Sequence, residues 1–234
     1  MTPTVLIPGL ACTAEMFTSQ TVALWPHGPV TVASTLEGDS IAAMATAVLR
    51  DAPARFALGG ISMGGYIAME ILRQAPERVI KLALLNTSAR ADTPEQIEAR
   101  RLLIERVQNG ELEAVLAQVT PNLLHPNHRG RQDLIDTQIR MGRDVGSDGF
   151  IRQEAAITKR IDSRPHLAHI GVPTLVLVGD RDPLTPPDRA KEIADAIPGA
   201  DLVIIPDCGH ASTLEQPEAV SAALVEWLSN PPSS

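Results

Sequence analysis

Cysteine is scarce in this sequence: Cys12 and Cys208 are the only two among 234 residues. Two thiols exclude a disulfide-stapled scaffold and a cysteine-rich zinc site. Positive charge is short as well, with 20 Lys and Arg against 28 Asp and Glu and a formal net charge of -8. That balance argues against nucleic acid or an anionic membrane as main partner, because both reward a basic surface. The basic clusters that do occur, Arg100-Arg101 and Arg129 with Arg131, are interrupted by acidic neighbours and read as solvated faces. Long apolar runs are missing too; no stretch approaches the roughly 18 uncharged residues of a membrane span. The opening residues MTPTVLIPGLACTAEMF have neither the basic segment nor the apolar run of a signal peptide, so a cytoplasmic protein is expected. A glycine-rich nucleotide cradle and a cluster with metal-ligand spacing are likewise missing, so no cofactor and no metal are expected.

What is present is an ordinary globular balance, 44% apolar and 21% charged, enough for one domain with an inserted subdomain. Thr4–Pro8, Val30–Leu36, Phe56–Gly60, Ile80–Asn86, Thr174–Gly179 and Ala200–Ile205 read as strands. Several are continuously apolar, as in a parallel sheet covered on both faces. Ser40–Arg50, Gly64–Gln74, Asp188–Ala196 and Ala219–Leu228 read as helices, with Pro76 ending one and Pro198-Gly199 another. The alternation predicts βαβ units. From Ser88 to Arg164 the rhythm breaks into amphipathic helices at Pro94–Asn109, Glu111–Val119, Gln132–Met141 and Gly149–Lys159. We therefore expect a core of residues 1–87 and 165–234 with a helical lid, 88–164, over the C-terminal edge of the sheet. Among Leu112, Val115, Leu116, Leu123 and Leu124, some are expected to line an apolar pocket and the others to pack the lid onto the domain. The final NPPSS reads as a frayed tail.

Ser62 lies in GISMG between an apolar run and a helix, the strand–turn–helix setting of a G-x-S-x-G nucleophile elbow. A serine hydroxyl needs a base to accept its proton. Of six histidines, His210 in PDCGHAST stands between the last strand and the last helix, whereas His125 and His128 fall in the lid. Imidazole in turn works best against a carboxylate. DRDPLTPP follows the fifth strand, and Asp182 is preferred there over Asp180, which suits bracing the turn; Asp207 suits shaping the histidine loop. The order Ser62, Asp182, His210 is nucleophile, acid, base, the order of α/β hydrolases and not of chymotrypsin or subtilisin. An oxyanion hole is expected from the backbone N–H of Met63 and of Leu10, the latter in PGLAC after the first strand.

With these residues in hand, the chain resembles the α/β-hydrolase superfamily over nearly its full length. It is most similar to the esterase, enol-lactonase and meta-cleavage-product hydrolase group. The resemblance rests on GISMGGYIAMEILRQAPERVIKLALLNT, VPTLVLVGDRDPLTPP and IPDCGHASTLEQPEAVSAALVEWL. It implies a three-layer sandwich on a mostly parallel sheet of about six strands, with a helical lid. It also implies carboxylesterase-like chemistry by Ser62, Asp182 and His210 on a small ester or lactone, with Leu10 and Met63 at the oxyanion. Two departures stand out: Pro8-Gly9 replaces the family's usual His-Gly pair, and the antiparallel strands that usually precede the first parallel strand are absent or reduced. By analogy Tyr66 and Cys12 lie near the pocket mouth. An enol-lactonase or a carbon–carbon bond hydrolase of an aromatic-degradation type is the alternative within the group, and a ligand receptor or partner-binding protein with slow turnover is the alternative of another class.

Overall fold

A computed structural model describes residues 1–230; the predicted tail at Asn230–Ser234 falls, beyond its first residue, outside the described residues. Six strands, β1 (Thr4–Ile7), β2 (Val30–Val32), β3 (Phe56–Ile61), β4 (Val79–Leu85), β5 (Thr174–Gly179) and β6 (Asp201–Ile205), form one sheet in the order β2-β1-β3-β4-β5-β6. Every pairing is parallel, with Leu6 opposite Gly59, Gly60 opposite Leu84 and Leu84 opposite Val176. The helices are α1 (Thr18–Leu24), α2 (Ile41–Asp51), α3 (Met63–Gln74), α4 (Pro94–Gln108), α5 (Leu112–Val119), α6 (Gln132–Thr158), α7 (Arg164–Leu167), α8 (Pro187–Ala196), α9 (Ser212–Glu215) and α10 (Pro217–Ser229).

Strand alternation explains the layers. Val5 and Ile7 of β1, with Leu58, Leu82 and Val176, bury one face against Met44, Ile67, Ile71 and Ile193 of α2, α3 and α8. Leu6, Ala57, Ala83 and Leu175 bury the other against Leu24 of α1 and Val220, Leu224 and Trp227 of α10. Both faces of the central strands are covered, which is why β1, β3, β4 and β5 are largely apolar. Lys81, buried in β4, donates to the carbonyls of Trp227 and Leu228, both at 2.8 Å, and so closes the C-terminal end of α10.

Two of these expectations need adjustment. β2 stops at Val32 instead of Leu36, because this edge strand leaves the sheet after Ala33 donates to Leu6 and Leu36 ends 44% exposed. The two helices expected between Gln132 and Lys159 are both present within α6; they meet at Gly146, whose φ 72 and ψ 171 interrupt the helical backbone. A helical stretch, Ala14–Leu24, follows β1 where no element was expected; Thr13 caps it by accepting from the Glu15 amide.

Candidate active site

The C-terminal ends of β3, β4, β5 and β6 lie on one edge of the sheet, and each carries a polar residue of the site. Ser62 ends β3 with φ 54 and ψ -115. Such a backbone costs a non-glycine residue about 1–3 kcal/mol and persists only where its surroundings enforce it. Here the Ser62 amide donates to Leu85 O at 2.9 Å, and Thr87 Oγ1 donates to the Ser62 carbonyl at 2.8 Å. Close approach demands glycine one turn on: a Cβ at Gly64 would stand 2.0 Å from the Ile7 carbonyl oxygen.

His210 joins the serine to the acid. Its Nε2 is 2.9 Å from Ser62 Oγ, and its Nδ1 is 2.9 and 2.8 Å from Asp182 Oδ1 and Oδ2. The Asp182 carboxylate also accepts from the amides of Leu184 and Thr185, each at 2.9 Å, from Thr185 Oγ1 at 2.8 Å and from Asn86 Nδ2 at 2.9 Å. Burial alone would raise this carboxyl; His210 and the hydrogen bonds outweigh it and hold the group below its usual range. An ionised acid is thus matched to the imidazole that it faces.

The competing aspartates do other things. Asp180 accepts from the Cys208 amide at 3.0 Å and braces the two loops against each other. Asp207 accepts from Asn127 at 2.9 Å and stands 3.1 Å from His125 and 3.3 Å from His128. His166 and His169 are exposed.

At the end of β1 a Cβ on Gly9 would be 3.4 Å from Ser62 Cβ, so the Gly9–Cys12 turn passes beside the serine. Ala11 there has φ 55, and its amide donates to Gln153 of α6 at 2.8 Å. Among the described residues, the Leu10 and Met63 amides have no hydrogen-bond acceptor.

Sequence reasoning missed Asn86, fully buried at the end of β4 with φ 43. Its place in LALLNT, at a strand end beside the other three, was the available signal. Also missed was Glu215, whose Oε1 accepts from the Gly209 amide at 3.0 Å. Its Oε2 accepts from the His125 amide at 2.8 Å and lies 2.9 Å from His128 Nδ1. The His210 amide donates to Leu123 O at 2.7 Å, so the histidine loop is stitched to residues 123–128.

Ser62 and His210 open on a cavity of about 400 Å³. Helices between β4 and β5 supply much of its wall, including Leu103, Leu116, Val119 and Phe150. Of the five expected apolar residues, Leu116 and Leu123 reach the cavity; Leu112 and Val115 pack with Val107, and Leu124 packs with Leu134 and Ile135. Tyr66 and Cys12 also line it. One wall is ionic. Arg100 bonds Asp92 at 2.7 Å and Glu154 at 2.6 Å, and Arg160 meets Asp92 at 2.7 Å while lying 4.3 Å above the Tyr66 ring. Burial pushes the Glu154 carboxyl up against the opposing pull of Arg100. No grouping of three or more His, Cys, Asp or Glu suited to a metal occurs among the described residues. Nor is any described helix long and apolar enough to cross a membrane.

Residues 5–223 match the family described as the alpha/beta hydrolase family. The chain belongs to that family. As an α/β hydrolase it superposes on a thermophilic esterase from Thermogutta terrifontis, solved with malate bound, with a TM-score of 0.89 and 30% identity over 97% of this chain and 89% of that one. The enol-lactonase from Burkholderia xenovorans LB400 superposes with a TM-score of 0.87 and 25% identity, over 98% and 92% of the two chains. By sequence, the putative non-heme bromoperoxidase BpoC of Mycobacterium tuberculosis is 29% identical over 212 residues, 84% of this chain and 75% of that protein.

Proposed function

We propose that the protein is a serine hydrolase that cleaves a small uncharged carboxylic ester through an acyl-enzyme. The observation that carries this reading is the unbroken line from Ser62 Oγ through His210 to Asp182, with contacts of 2.9 and 2.8 Å, at the wall of the cavity. His210 takes the Ser62 proton as Oγ attacks the ester carbonyl; Asp182 stabilises the imidazolium. The open amides of Leu10 and Met63 receive the oxyanion, and the N-terminal end of α3 adds positive potential there. His210 then protonates the departing alcohol and activates the water that releases the acid. Residues 88–164 serve as the lid that shields these steps from bulk water.

Charge on the wall bears on the substrate. Arg100 and Arg160 are matched by Asp92 and Glu154, and Arg90 by Glu192. Arg189, the fourth arginine of the wall, meets its neighbour Asp188 at 3.2 Å. Each arginine of the described wall thus has a carboxylate partner, which favours neutral esters, cyclic ones included.

The test is hydrolysis of p-nitrophenyl acetate through octanoate by the wild type and by Ser62→Ala, with circular dichroism to verify folding. We expect a burst and steady turnover in the wild type and a loss of about 10³-fold or more in the variant. A folded Ser62→Ala variant with wild-type turnover would overturn serine catalysis. Labelling of Ser62 without turnover would favour a ligand-binding role.

A further inference from the structure

Gln138 of α6 lines the same cavity as Ser62 and is only 6% exposed. Its Nε2 is buried and has no hydrogen-bond partner among the described residues. No hydrogen bond joins either end of the amide to another described residue. The next turn of α6 packs on α5, where a Cβ at Gly142 would stand 2.7 Å from the Leu116 methyl carbons. Leu134 and Ile135, one turn earlier, are buried in an apolar cluster with Leu124 and Ala211. A primary amide without a partner thus stands at the cavity wall, between turns of α6 that pack on apolar side chains.

An unsatisfied buried amide is costly, and native proteins keep few of them. A leucine or methionine would suit the packing better. We infer that Gln138 is a specificity-determining residue that hydrogen-bonds a neutral oxygen function within the acyl chain of the substrate. The amide carries no charge, so it does not compensate a carboxylate; an ether, keto or hydroxyl oxygen matches it. A site built to hydrogen-bond its substrate penalises the analogue that lacks the group, because the site's own polar atom is then left unpaired. This inference rests on the esterase reading above for its kinetic form.

The experiment compares p-nitrophenyl hexanoate with esters in which one chain methylene is replaced by an ether oxygen at successive positions. Each rate is divided by the spontaneous hydrolysis rate of the same ester, which removes the inductive effect of the oxygen. The wild type should prefer one ether position over hexanoate by about 10-fold or more in kcat/KM. Gln138→Met should bring that ratio close to one and raise kcat/KM for hexanoate, with an unchanged or higher Tm because the unpaired amide is gone. A residue that only supports the fold would instead lower Tm and slow every ester alike, and that result overturns the proposal. So does a wild type with no ether preference, or a preference that survives Gln138→Met. Should the wild type cleave no ester, the esterase reading fails separately. Calorimetric binding of the matched ether and alkyl primary amides to Ser62→Ala, with and without Gln138→Met, then decides the matter by the same ratio.

Discussion

Asn86 donates from Nδ2 to Oδ2 of Asp182 at 2.9 Å and also to the Gly209 carbonyl at 3.1 Å. Its Oδ1 accepts from Ser212 Oγ at 2.6 Å. One buried amide at the end of β4 thereby binds the Asp182 loop to the His210 loop. Replacing Asn86 by Leu removes all three bonds and leaves a buried carboxylate short of a donor. A hydrogen bond to a charged group contributes about 1.5–3 kcal/mol, so kcat/KM for p-nitrophenyl esters should fall about 10- to 100-fold. A thermally stable variant with wild-type kinetics would remove Asn86 from any positioning role.

The depressed Asp182 carboxyl ties stability to pH. Its folded pKa lies below the ordinary value of 3.8, so its contribution is full above that value and is lost as pH falls through the lower folded one. Urea melts of the wild type and Asp182→Asn should differ by a constant amount near neutrality and converge as pH drops below 3.8. A gap that widens in acid would mean that the folded carboxyl is raised instead.

Gly64 is fixed by space. An alanine there pushes its methyl to 2.0 Å from backbone at Ile7, whereas a Cβ at Gly130 meets nothing within 4 Å. Gly64→Ala should therefore cost about 3 kcal/mol or more, as overpacking against rigid backbone does, and abolish activity with it. Gly130→Ala should melt like the wild type. Similar Tm values for the two would show that the elbow tolerates separation of α3 from β1.

The two thiols should be inert in the native protein. Both are free. Burial pushes Cys12 up to about 12 and Cys208 higher still, so thiolate is scarce at neutral pH. Ellman's reagent should label neither until denaturant is added. Rapid native labelling of Cys12 would show that the cavity admits the reagent and that the thiol ionises more easily than its burial implies.

The parts that were legible in the sequence are those where one local signal dictates one outcome. An apolar run, a glycine-flanked serine and a helical period placed β3, Ser62 and α3 because sheet burial and close packing leave little else possible. The six strands were legible for the same reason. The break within α6 was legible as well: the apolar period lapses around Gly146, whose positive φ separates the two helices. Ala14–Leu24 was missed because a 3₁₀ turn running into a short helix shows little period. Asn86, Glu215 and Gln153 escaped because their partners lie far along the chain. The pairs Asn86–Asp182, Glu215–His125 and Gln153–Ala11 are set by tertiary approach alone.

Glu215 has one oxygen on the histidine loop and the other on residues 125–128. Swinging that corner outward would strand the Gly209 and His125 donors and deprive the His210 amide of Leu123 O in the same movement. The corner behaves as a door jamb. Thr93, Gln96 and Ala99, at the start of α4, line the same cavity and are exposed, with no bond to the His210 loop. A change on that wall therefore leaves the bonds that hold His210 untouched.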